Sequence, residues 1–98
     1  YPDIVRNAPN TRKRAKAMQK LANLGMRTYV TCEPLIKFDL PGMVELVRMC
    51  SPVQVNIGRN SRQDITLPEP TRNEVQALIT ELQKFTRVLV KSNAKCWI

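Results

Sequence analysis

The residues best suited to chemistry fall in three short runs: Cys32-Glu33-Pro34, Asn56-Ile57-Gly58-Arg59-Asn60-Ser61-Arg62 and Lys91-Ser92-Asn93. Glu33 is a carboxylate that can hydrogen-bond an amine or a ribose hydroxyl or act as a base, and it can equally form an ion pair with Lys91 or Arg59. Lys91 suits a carboxylate or phosphate ligand, or a solvated strand terminus. Gly58 lets backbone amides approach a ligand closely, or simply makes a turn. Cys32 reads as a small buried apolar residue rather than a nucleophile, because the chain has no histidine to activate it. The three cysteines, Cys32, Cys50 and Cys96, form neither CxxC nor CxxxCxxC, so a disulfide framework or a self-contained zinc site is not expected. No metal ligand and no catalytic residue is assigned.

These runs need elements to position them, and the hydrophobic pattern supplies an alternation. Ala15, Met18, Leu21 and Ala22 recur at helical spacing, with Asn10 or Thr11 as N-cap and Gly25 as the stop, which predicts a helix over about 11–24. Met26 to Cys32 is β-branched and aromatic and is closed by Glu33-Pro34, a strand. Asp39 before Leu40-Pro41 opens a second helix that runs to about residue 50. Val53, Val55 and Ile57 alternate with Gln54 and Asn56, a second strand closed by Gly58. Residues 58–70 read as a long loop, in which Leu67-Pro68-Glu69-Pro70 is a rigid approach to the next helix. Thr71-Arg72-Asn73-Glu74 is a capping box ahead of Val75, Leu78, Ile79 and Leu82. Arg87 to Val90 makes a third strand ending at Lys91-Ser92-Asn93.

The order α-β-α-β-α-β predicts an α/β fold with parallel strands, either a three-layer open sheet or a segment of a partial (β/α) barrel. With strands in sequence order and right-handed crossovers, all helices lie on one side. The other face then carries Gln54 and Asn56, with Arg27, Tyr29, Thr31 and Glu33, which suits a polar barrel interior and favours the barrel segment. In such folds ligands collect at the carboxyl ends of the strands, where the three runs sit.

The chain has 98 residues and a formal net charge of +8. Residues 1–28 hold seven bases against Asp3, a balance of +6, and the rest holds nine bases against seven acids. Arg12, Lys13, Arg14 and Lys16 therefore form a candidate phosphate-binding helix face, or a merely solvated one. No apolar run approaches the roughly 20 residues of a membrane helix, so no membrane partner is expected, and the cysteine usage suggests a reducing, cytoplasmic setting.

The series Arg14…Ala17-Met18…Leu21…Gly25, Tyr29-Val30-Thr31-Cys32-Glu33-Pro34-Leu35…Phe38-Asp39, Val55-Asn56-Ile57-Gly58…Ser61, Leu67-Pro68-Glu69-Pro70 and Val90-Lys91-Ser92-Asn93 resembles the C-terminal half of phage-associated radical-SAM-like proteins. The resemblance covers nearly the whole chain. Its most specific part is the Glu-Pro after one strand with Asn-Ile-Gly ending the next. It implies a partial (β/α) barrel binding S-adenosylmethionine and a four-iron, four-sulfur cluster, with Glu33, Asn56, Gly58 and Lys91 at strand ends facing cofactor or substrate. The CxxxCxxC of the family lies early in its chain and has no counterpart here. Residues 1–98 are thus expected to be one α/β unit, the C-terminal half of a larger barrel whose missing N-terminal half is its partner, and inactive alone. The chain starts at Tyr1, as a processed or truncated product would. Two other functions remain open: a nucleic-acid-binding module using the basic helix, and a structural or interaction domain whose exposed sheet face self-associates.

Overall fold

A computed structural model describes residues 8–59 and 68–98. Three strands, β1 (Tyr29–Cys32), β2 (Gln54–Ile57) and β3 (Arg87–Val90), form one parallel sheet in the order β1-β2-β3. They alternate with α1 (Ala8–Asn23), α2 (Leu40–Cys50) and α3 (Arg72–Leu82), and a 3-10 helix over Ser92–Trp97 follows β3. The α/β class and the α-β-α-β-α-β order agree with the sequence reading.

Register explains which side chains meet. Val30, Val55 and Val88 are aligned across the sheet, as are Cys32, Ile57 and Val90. A parallel register sends aligned residues to the same face, so these six make one apolar surface. It packs with Val47 of α2, with Val75, Leu78 and Leu82 of α3, and with Leu35, Ala94 and Trp97. Tyr29, Gln54 and Arg87, then Thr31, Asn56 and Leu89, occupy the opposite face. Tyr29 and Leu89 are 53% and 50% exposed there, whereas Val55 and Ile57 are 0% exposed. The second and third helices and the 3-10 helix thus pack on one face, while α1 packs on α2.

Local sequence sets the element ends. Asp39 caps α2 by accepting from the Gly42 N–H at 2.8 Å, with Pro41 in the first turn. Thr71 and Glu74 form the expected capping box on α3: the Glu74 N–H donates to Thr71 Oγ1 at 3.1 Å, and the Thr71 N–H donates to Glu74 Oε1 at 2.8 Å. Gly25 ends α1 at φ +88°, and its N–H donates to the Ala22 carbonyl at 2.9 Å.

Four expectations are revised. The first described helix spans Ala8–Asn23, so Asn10 and Thr11 lie inside it and neither is the N-cap. The first strand spans only Tyr29–Cys32, because its partner begins at Gln54 and Met26 is left 56% exposed. Val53 lies outside β2 and is 43% exposed. The C-terminal 3-10 helix was not anticipated, and it buries Ala94 and Trp97 against the core. Asn60, Ser61, Arg62 and Leu67 lie outside the described residues.

Candidate functional site at the strand ends

Just beyond the carboxyl ends, Glu33, Gly58 and Lys91 continue the row alternation of the open face, each two residues past an aligned residue of its strand. Gly58 is in the middle. Its N–H donates to the Cys32 carbonyl at 3.0 Å, its carbonyl accepts from the Leu35 N–H at 2.8 Å, and the Lys91 N–H donates to the Ile57 carbonyl at 2.8 Å. The Glu33 side chain crosses over Gly58 to reach the third strand end, where Lys91 Nζ donates to Oε1 at 2.5 Å. A Cβ at position 58 would stand 2.9 Å from Glu33 Cγ and Cδ. The missing Cβ gives the Glu33 side chain room to cross, and any side chain at 58 would make Glu33 shift.

Asn93 completes the group. Its Nδ2 reaches the Arg59 carbonyl at 3.1 Å and Glu33 Oε2 at 3.5 Å, and its Oδ1 accepts from the Arg59 N–H at 3.2 Å. Arg59 turns away from Glu33: its guanidinium grips Glu69 with two hydrogen bonds, 2.9 and 3.0 Å, and lies 5.8 Å from the centre of the Trp97 ring. Of the two ion pairs open to Glu33 from sequence, the structure contains the one with Lys91.

The electrostatics follow from these contacts. The hydrogen bond from Lys91 holds the Glu33 carboxyl below the usual carboxylate range, with its charge and Asn93 acting in the same direction. A carboxylate held ionised is a good acceptor for amines and hydroxyls and a weaker general base. Glu69 is lowered likewise by Arg59. Cys32 belongs to the covered face, where burial, with a lesser contribution from Cys50, pushes its thiol up to about 11. That fits the packed, unreactive thiol expected from sequence.

Asn56 is separate from this cluster. It sits one row earlier on the open face, where its Oδ1 accepts from Gln54 Nε2 at 2.7 Å and its Nδ2 approaches Thr31 Oγ1 at 3.4 Å. The structure thus brings Glu33, Gly58 and Lys91 together and leaves Asn56 beside them in a polar ladder. Sequence reasoning did not foresee Asn93 as the bridge or Glu69 as the partner of Arg59. The signal for Asn93 is present, since a short amide two residues past Lys91 is within reach of neighbouring strand ends.

The basic residues Arg12, Lys13, Arg14 and Lys16 are all exposed on α1, well apart in sequence from the strand ends. Arg12 approaches Glu45 of α2 at 3.4 Å. A groove of about 560 Å³ opens along β1 between α1 and α2, and none of the ion-pair residues lines it. Among the described residues no three side chains of the metal-ligating types converge, and no helix is long and apolar enough to cross a membrane. Comparison with protein-family profiles, curated proteins and solved structures finds no match to this chain.

Proposed function

We propose that the chain is the C-terminal portion of a radical-SAM-like (β/α) barrel enzyme, and that its strand ends contribute contacts to S-adenosylmethionine and substrate. The observation that carries this reading is the single row of Glu33, Gly58 and Lys91 at the carboxyl ends of three parallel strands. Ligands of parallel α/β sheets collect there.

The donor set suits such a ligand. S-adenosylmethionine offers a carboxylate, an ammonium and ribose hydroxyls. Among the described residues the Lys91 ammonium, which has three donors, uses one on Glu33, and Glu33 Oε2 receives only the 3.5 Å approach of Asn93, so the pair can offer donors to a carboxylate and an acceptor to an ammonium or a hydroxyl. Asn56 and Thr31 extend the polar surface along the open face. The cluster is a different matter. Cys32 faces the core, Cys50 is buried at the end of α2 and Cys96 is exposed on the 3-10 helix, so this chain's cysteines do not fit a cluster and no step is derived through one.

Calorimetric titration of the chain with S-adenosylmethionine tests the reading. Saturable binding is expected, weakened about tenfold or more by Glu33→Gln and by Lys91→Met, as loss of a charge-assisted hydrogen bond implies. Absence of binding to the folded chain, or affinity indifferent to both substitutions, would overturn it.

A second reading, a nucleic-acid-binding module, is favoured by one observation. The four bases Arg12, Lys13, Arg14 and Lys16 are exposed on a helix that contains no acid. Fluorescence anisotropy with single-stranded and duplex oligonucleotides checks it. Affinity should fall steeply with salt, and a salt-independent or undetectable interaction removes the idea.

A further inference from the structure

The acid and the base at the strand ends come from different strands and occupy each other. Glu33 follows β1, crosses over Gly58 and accepts from Lys91 Nζ beyond β3. Their side chains are 29% and 41% exposed, so the contact is screened by solvent and can exchange partners at little cost.

The base side has a second donor whose position does not depend on Glu33. The Asn93 amide is clamped to the main chain of Arg59, with Oδ1 accepting from the N–H at 3.2 Å and Nδ2 donating to the carbonyl at 3.1 Å. Its other amide proton is thereby turned to Glu33 Oε2, 3.5 Å away. Lys91 and Asn93 thus present donors from one turn to the two oxygens of one carboxylate, and in the structure that carboxylate is the chain's own. Neighbouring charges are matched as well: Arg59 grips Glu69, and Lys37 lies 3.8 Å from Glu74.

Such a pair sorts ligands by charge. A bare carboxylate that takes Lys91 and Asn93 must evict Glu33, exchanging one ion pair for another and stranding Glu33 beside a like charge. A bare ammonium that takes Glu33 strands Lys91 in the same way. A ligand carrying both charges on neighbouring atoms replaces one ion pair by two. We propose that the Glu33–Lys91 pair makes the strand ends selective for a zwitterion such as an α-amino-acid group, with Glu33 as the residue that rejects simple anions. The proposal rests on the strand-end site of the preceding reading, and not on S-adenosylmethionine being its occupant.

The test compares L-norleucine with hexanoate, which lacks the ammonium, and with pentylamine, which lacks the carboxylate. Each is titrated into the isotope-labelled whole chain near neutral pH, where both side chains are charged, and the amide signals of Gly58, Arg59 and Lys91 are followed. Saturable shifts at these amides are expected with norleucine, at an affinity about tenfold or more above that of either single-charge probe. Glu33→Gln should weaken norleucine about tenfold or more and strengthen hexanoate, because Lys91 then has no built-in anion to lose. Lys91→Met should do the mirror image, strengthening pentylamine. A gain of affinity cannot arise from unfolding, and if one variant unfolds, the other and the ranking in the unaltered chain decide. Absence of norleucine binding, equal affinity for the three probes, or hexanoate no tighter in Glu33→Gln overturns the proposal. If that happens while S-adenosylmethionine still binds, the preceding reading stands; zwitterion selectivity in a chain that ignores S-adenosylmethionine overturns that reading alone.

Discussion

The two faces of the sheet are built from the same three strands and have opposite characters. On the covered face the aligned residues are Val, Val, Val and Cys, Ile, Val, sealed by α2, α3 and the 3-10 helix. On the open face they are Tyr, Gln, Arg and Thr, Asn, Leu, joined by side-chain hydrogen bonds and leading to the Glu33 to Lys91 ion pair. The difference separates what folds the chain from what is available for binding: one face supplies burial, the other supplies donors, acceptors and charge at little cost to the fold.

The sharpest way to break that contrast is to truncate one residue on each side. Ile57→Ala, at a site with 0% exposure, should cost about 2–5 kcal/mol in urea unfolding. Leu89→Ala, at 50% exposure, should change stability by about 0.5 kcal/mol or less. Equal costs would mean that the open face is covered in solution. Thr71→Ala follows in size, since it leaves α3 without its cap and should cost about 1 kcal/mol. A null effect would show that packing alone holds the helix.

How legible this was depends on the kind of signal. The alternation Val55, Ile57 against Gln54, Asn56 states both faces at once, because a period of two has one physical meaning in a strand. The caps Asp39 and Thr71 were equally readable, since a side-chain oxygen satisfies a nearby N–H. The 3-10 helix was not. Six residues carry no period, and Trp97 is fixed by tertiary contacts with α3, including Gln76 Nε2 donating to its carbonyl at 3.4 Å. The choice of Lys91 for Glu33 was one of two options; the choice of Glu69 for Arg59 goes with a return of the chain beside the connection from β1 to α2, which the Lys37 N–H to Pro68 carbonyl bond of 2.8 Å shows. No local pattern encodes that return. Nor does a sequence say what covers an open face.

Two smaller effects sharpen the comparison at the strand ends. Gly58→Ala should push Glu33 off Lys91, because the new Cβ meets Glu33 Cγ and Cδ at 2.9 Å. The Glu33 carboxyl should then titrate closer to the ordinary value, measurable by carbon NMR. An unchanged titration would mean the side chain rearranges without losing its partner. Acid sensitivity comes last. Glu33, Glu69 and Glu74 are all lowered from 4.5 by their hydrogen-bonded partners, so the stability they contribute is fully present above the ordinary carboxylate value and is lost as pH falls through the lowered folded values. Lys91→Met should flatten that decline below pH 4.5. An identical acid transition would show that the pair contributes no linkage.

The Arg59 guanidinium, gripping Glu69 and facing Trp97, has a further consequence. It staples the exit of β2 to the approach of α3 across the ten positions that separate Arg59 from Glu69. The tie couples two elements that pack on the same core, so a local opening of α3 that frees Glu69 also frees the end of β2, and the two should lose their hydrogen-exchange protection together.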